Sequence, residues 1–129
     1  MTENQSNERT RPTVLVCDDE SVLRELIRAT LGGGRYTVLE ARDGDEALAR
    51  ARSEQPDLIL LDVMMPGRSG DDVLRELRSD PATAATPVIM LTARVQADDR
   101  AVADVADHYL AKPFSPRGLA TLVAEVLDA

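Results

Sequence analysis

Tryptophan is absent from this chain, and Tyr36, Tyr109 and Phe114 are its only aromatic residues. An aromatic platform for stacking nucleobases is thereby excluded, and the core must be built mostly from Leu, Val, Ile and Ala. Cysteine is as scarce: Cys17 stands alone, so no internal disulfide can form. It follows the apolar run Val14-Leu15-Val16 and reads as a buried filler. His108 is the single histidine, and no serine or cysteine occupies a nucleophile elbow that it could serve, so it reads as a structural or surface residue. Positive charge is in deficit, with 15 Lys and Arg against 23 Asp and Glu, a formal net charge of -8 and a pI near 4.6. Nucleic acid and anionic membranes would both repel such a chain at long range. No run approaches the roughly 18 apolar residues of a membrane span, and the opening MTENQSNERTRP is too polar for a secretory segment. The expectation is a cytoplasmic protein that binds neither nucleic acid nor membrane directly. At 129 residues the chain suits one domain with a single core.

Within that frame two patterns alternate. Residues 1–12 have no periodicity and end in Arg11-Pro12, so they read as a disordered lead-in before a domain over 13–129. Short apolar runs then recur at Thr13 to Cys17, Tyr36 to Ala41, Leu58 to Leu61, Val88 to Leu91 and His108 to Ala111, each a strand candidate. Helical spacing fills the gaps. Val22, Leu23, Leu26, Ile27, Thr30 and Leu31 fall on one helix face that stops at Gly32-Gly33-Gly34. Asp43 and Ser69 are placed to cap the next two helices, and Ser115-Pro116 opens the last in the preferred cap and first-turn arrangement. Between the fourth and fifth strands the pattern is weaker, resting on Ala101, Val102, Val105 and Ala106.

Such strict alternation predicts a (βα)₅ doubly wound fold, with a parallel sheet between helical layers and right-handed crossovers. For five units the common strand order is 2-1-3-4-5, and ligands sit at the carboxyl ends of the strands where that order reverses. The first strand ends in Asp18-Asp19-Glu20 and the third in Asp62, so the topology gathers carboxylates at one crevice. Two unit charges about 4 Å apart repel by roughly 4 kcal/mol at an effective dielectric near 20, so the cluster calls for a cation. Oxygen donors with no His among them, and with Cys17 read as buried filler, favour Mg²⁺. The fourth strand ends in Thr92, a hydroxyl donor, and the fifth in Lys112, an ammonium on a long stem. The set suits an incoming phosphoryl group.

These residues resemble the response-regulator receiver domains of two-component phosphorelays, through VLVCDDE, DLILLDVMMPGRSG, PVIMLTA and YLAKPFSP in the right order and spacing over about residues 13–128. The resemblance implies a flavodoxin-like three-layer sandwich. It implies that Asp62 is the phosphoacceptor, taking its phosphoryl group from a phosphohistidine of a sensor histidine kinase or phosphotransfer protein. Mg²⁺ would be held by Asp18, Asp19, Asp62 and the main-chain carbonyl of Met64, with Glu20 peripheral. Lys112 would contact the phosphoryl group, Thr92 would hydrogen-bond it, and Tyr109 would turn inward as Thr92 moves. Lys112-Pro113 resembles the family's cis peptide, and Met64 and Arg94 would govern water access to the acyl phosphate. The output would reach a downstream protein target or a fused output domain. Departing from the family, the segment between Thr92 and Tyr109 is about two residues short and carries Val105 where Gly is common. A shortened fourth helix over about Ala97 to Ala106 is therefore expected, serving with the last strand as the output surface.

Two other readings compete. Aspartyl-phosphate hydrolases of the haloacid dehalogenase type also use an Asp at a strand end, but they need a second Asp two residues on, where this chain has Met64. A self-modifying switch is thus favoured over a turnover enzyme. A binding module that has lost phosphorylation would not need the intact set of Asp18, Asp19, Asp62, Thr92 and Lys112.

Overall fold

A computed structural model describes residues 11–93 and 107–128. Five strands, β1 (Thr13–Cys17), β2 (Thr37–Ala41), β3 (Leu58–Asp62), β4 (Val88–Thr92) and β5 (His108–Ala111), form one parallel sheet of order β2-β1-β3-β4-β5. Helices α1 (Ser21–Leu31), α2 (Gly44–Glu54), α3 (Gly70–Ser79) and a C-terminal helix (Pro116–Asp128) cover it. The expected helix between β4 and β5, with Arg94 and Val105, lies outside the described residues.

Side chains alternate across each strand, so neighbouring residues feed opposite layers. Leu15, Cys17, Ile59, Leu61 and Met90 pack beneath α2 and α3, against Leu48, Val73 and Leu77. Val14, Val16, Leu58, Leu60 and Leu91 face the other way, onto Ile27 and Leu31 of α1 and Leu119 and Val123 of the C-terminal helix. β3 and β4 are buried along their whole length, as central strands of a parallel sheet must be. Full burial of one such Leu stabilises the fold by about 1.5–3 kcal/mol.

The helix starts follow their capping chemistry. Asp43 accepts from the Glu46 amide, Ser69 from Asp72, and Ser115 from Gly118 at 2.9 Å. Asp45, Asp71 and Asp72 lie in first turns, where the helix dipole favours them. On α1 the expected apolar face is only half used. Ile27 and Leu31 are buried, whereas Val22 is 76% exposed and Leu26 40%. β1 opens at Thr13, whose amide donates to Asp57 Oδ2 at 2.8 Å.

Candidate functional site

The sheet's register brings the acidic residues together. β1 and β3 are neighbours with Cys17 opposite Leu61, so Asp18 and Asp62 follow at the same level. β2 lies on the far side of β1, which makes this the point where strand order reverses. Asp18 and Asp62 are buried at the floor of the crevice and Asp19 is exposed at its rim. One carboxylate oxygen from each of the three lies within 4.8 Å of the others. A set of hard oxygen donors at that separation fits a small divalent cation.

Lys112 reaches across from the end of β5. Its Nζ lies 3.0 Å from Asp18 Oδ2 and 3.2 Å from Asp62 Oδ1. Main-chain donors hold the same carboxylates, Glu20 N to Asp18 Oδ1 at 2.9 Å and Met64 N to Asp62 Oδ1 at 3.2 Å. Both contacts to Asp62 therefore fall on Oδ1, and Oδ2 has no hydrogen-bond partner among the described residues. Burial, reinforced by the charge of Asp18, holds the Asp62 carboxyl above the usual carboxylate range against the pull of Lys112. Burial alone would lower the Lys112 ammonium, but the hydrogen bonds and charges of Asp18 and Asp62 outweigh it and hold that group above its ordinary value.

The remaining strand ends line the crevice. Thr92 closes β4, is buried, and accepts at its carbonyl from Lys112 N at 2.8 Å, which couples the two turns. Tyr109, one strand over and paired with Met90, is partly buried against the layer beneath α2 and α3. The Lys112-Pro113 peptide is cis, as the sequence resemblance implies. In the turn after β3, Met65 packs into the core, whereas the Met64 side chain is 75% exposed. Gly67 takes φ +76°, open to glycine and strained for other residues.

Cys17 is fully buried, and burial pushes its thiol far up, so it is inert filler as read. His108 is exposed. Glu20 is exposed, with its Oε1 3.9 Å from Lys112 Nζ at the edge of the site.

The family model for the response regulator receiver domain matches residues 14–124. The phosphate regulon transcriptional regulatory protein PhoB of Pseudomonas aeruginosa is 43% identical over 117 residues, covering 89% of this chain and 51% of that protein. The transcriptional regulatory protein ResD of Bacillus subtilis is 43% identical over 126 residues, covering 96% of this chain and 50% of that one. The chain thus spans about half the length of these curated relatives. Among solved structures, the chemotaxis response regulator CheY4 of Vibrio cholerae superposes with a TM-score of 0.85 at 33% identity, covering 92% of this chain and all of that one.

Proposed function

The chain belongs to the response regulator receiver domain family, and from that membership and the crevice geometry we propose that Asp62 accepts a phosphoryl group from a phosphohistidine on a sensor histidine kinase or phosphotransfer protein. The observation that carries this is the asymmetry of the Asp62 carboxylate, with Oδ1 held by Lys112 and the Met64 amide and Oδ2 left to react. In the transfer, Oδ2 attacks phosphorus. The new O–P bond forms as the P–N bond breaks, and its electron pair stays on the partner's imidazole nitrogen. Lys112 neutralises charge on the phosphoryl oxygens and the Thr92 hydroxyl donates to one of them, so positioning and electrostatics supply the catalysis.

Asp18, Asp19 and Asp62, with the Met64 carbonyl, are the groups that would hold Mg²⁺, which when bound supplies positive charge against the incoming phosphoryl oxygens. Thr92 and Tyr109 form the switch, because a phosphoryl group shifts a conformational equilibrium only through contacts that differ between its states. The domain occupies 13–129 after a lead-in at 1–12. It acts as a cytoplasmic signalling switch upon a downstream protein or a fused output domain, without turning over a substrate or binding nucleic acid itself. No described helix is long and apolar enough to cross a membrane.

Intact-mass measurement after treatment with Mg²⁺ and acetyl phosphate tests the reading. One phosphoryl group should appear on the wild type and none on Asp62→Asn; equal labelling of both would refute it. Thr92→Ala should still accept the group, but NMR shifts along β5 should respond less to a beryllofluoride mimic. A full response there would remove Thr92 from the switch.

A further inference from the structure

Where β1 stops, the peptide joining Asp18 to Asp19 leaves the sheet, and its carbonyl has lost its strand partner. Asp18 N still donates to Ala41 O of β2 at 3.1 Å. The Asp18 carbonyl oxygen, instead of a strand amide, receives Nη1 of Arg24 at 2.7 Å. Arg24 lies in the first turns of α1 and its side chain is only 11% exposed. The same guanidinium donates through Nε to Glu40 Oε1 of β2 at 2.9 Å. Glu40 is itself held from the other side by Arg28, one helical turn on, through Oε2 at 2.7 Å. Those contacts, the Arg28 hydrogen bond foremost, keep the Glu40 carboxyl below the usual carboxylate range, so the anchor of the chain is charged.

The sequence by itself marks Arg24 only as a charge on a helix flank. In the fold it is a planar fork spanning two elements, one arm on an anionic anchor and the other on the peptide that connects the two acidic residues. We propose that Arg24, oriented by Glu40, is a positioning residue for the Asp18-Asp19 pair. By holding the Asp18 carbonyl it fixes the peptide plane from which the Asp19 side chain departs, and so keeps both carboxylates in register for a divalent cation. The proposal rests on the reading that these carboxylates hold Mg²⁺.

The sign of the effect separates positioning from plain electrostatics. Removing a cation beside an acidic site strengthens Mg²⁺ binding by Coulomb's law. Losing the orientation of a ligand weakens it, by about tenfold for partners that orient metal ligands. Arg28 supplies the control, because it shares Glu40 and also donates to Val38 O at 3.2 Å but does not touch Asp18.

Mg²⁺ affinity would be measured by calorimetry on the wild type, Arg24→Ala, Arg24→Lys, Glu40→Gln and Arg28→Ala, alongside amide NMR spectra of the metal-free proteins. The expected result is about tenfold weaker Mg²⁺ binding for Arg24→Ala, a smaller weakening for Arg24→Lys and Glu40→Gln, and no weakening for Arg28→Ala. Without metal, the Asp19 amide, which shares its peptide group with the Asp18 carbonyl, should move in the Arg24 variants and stay in place in Arg28→Ala. Arg24→Lys keeps the charge and most of the packing, so it carries the test if Arg24→Ala does not fold. Unchanged or tighter binding in the Arg24 variants, or equal weakening in Arg28→Ala, would overturn the positioning role while leaving the metal site standing. A wild type that binds no Mg²⁺ would remove the metal site, and this inference with it.

Discussion

Gly70 stands directly against the backbone of Asp62. A Cβ at this position would run into the Asp62 carbonyl oxygen and lie 2.8 Å from Val63 Cα, while the Gly70 amide donates to Val63 O at 2.9 Å. The start of α3 thus braces the strand end that carries Asp62, the proposed phosphoacceptor. Gly70→Ala should therefore force the two segments apart, lowering stability by about 1–3 kcal/mol, as overpacking does. Because the displaced backbone is that of Asp62, phosphorylation by acetyl phosphate should also slow. Denaturant midpoints and labelling rates check both, and a variant with wild-type labelling would show that the brace does not reach the site.

Lys112 occupies the two buried carboxylates that a cation would share. Replacing it with Met should tighten Mg²⁺ binding about three- to tenfold, since a unit charge near 3 Å from Asp18 and Asp62 no longer competes. Phosphoryl transfer should fall at the same time. Calorimetric titration of Lys112→Met that gave weaker binding would mean the ammonium organises the carboxylates instead of opposing the metal.

Asp62 carries a cost to the fold. Burial and the Asp18 charge disfavour its ionised form, so Asp62→Asn should melt at a higher temperature than the wild type at pH 7 in EDTA. Mg²⁺ should shrink the difference by stabilising only the wild type. A lower melting temperature for Asp62→Asn would show that the Lys112 contact outweighs the burial.

Glu40 sets an acid dependence. Its folded-state carboxyl titrates below its ordinary value of 4.5, so its ion pairs contribute stability above that pH and lose it as pH falls through the folded value. With the side chain 30% exposed, solvent screening limits the contribution to about 1 kcal/mol. Glu40→Gln should be less stable than the wild type at pH 7, and the gap should close below pH 4.5. A gap that is constant from pH 7 to pH 3 would assign the effect to packing, not to charge.

Hydrophobic periodicity determined the strands and the helices between them, Asp43, Ser69 and Ser115 marked the caps by their side-chain oxygens, and the strand order followed as the common one for five alternating units. The carboxylates and Lys112 were legible for the same reason: each ends a strand, and in a doubly wound sheet strand ends converge. Tertiary structure alone decided which oxygen of Asp62 is held and which is open, since that depends on a lysine 50 residues away and on the Met64 amide. It also left Val22 and Leu26 exposed, although helical spacing places both on the apolar face of α1. Arg24 and Glu40 were invisible for a simpler reason. They are 16 residues apart on a helix and a strand, and nothing in local spacing says that one guanidinium will bridge a β2 carboxylate and the Asp18 carbonyl just past β1.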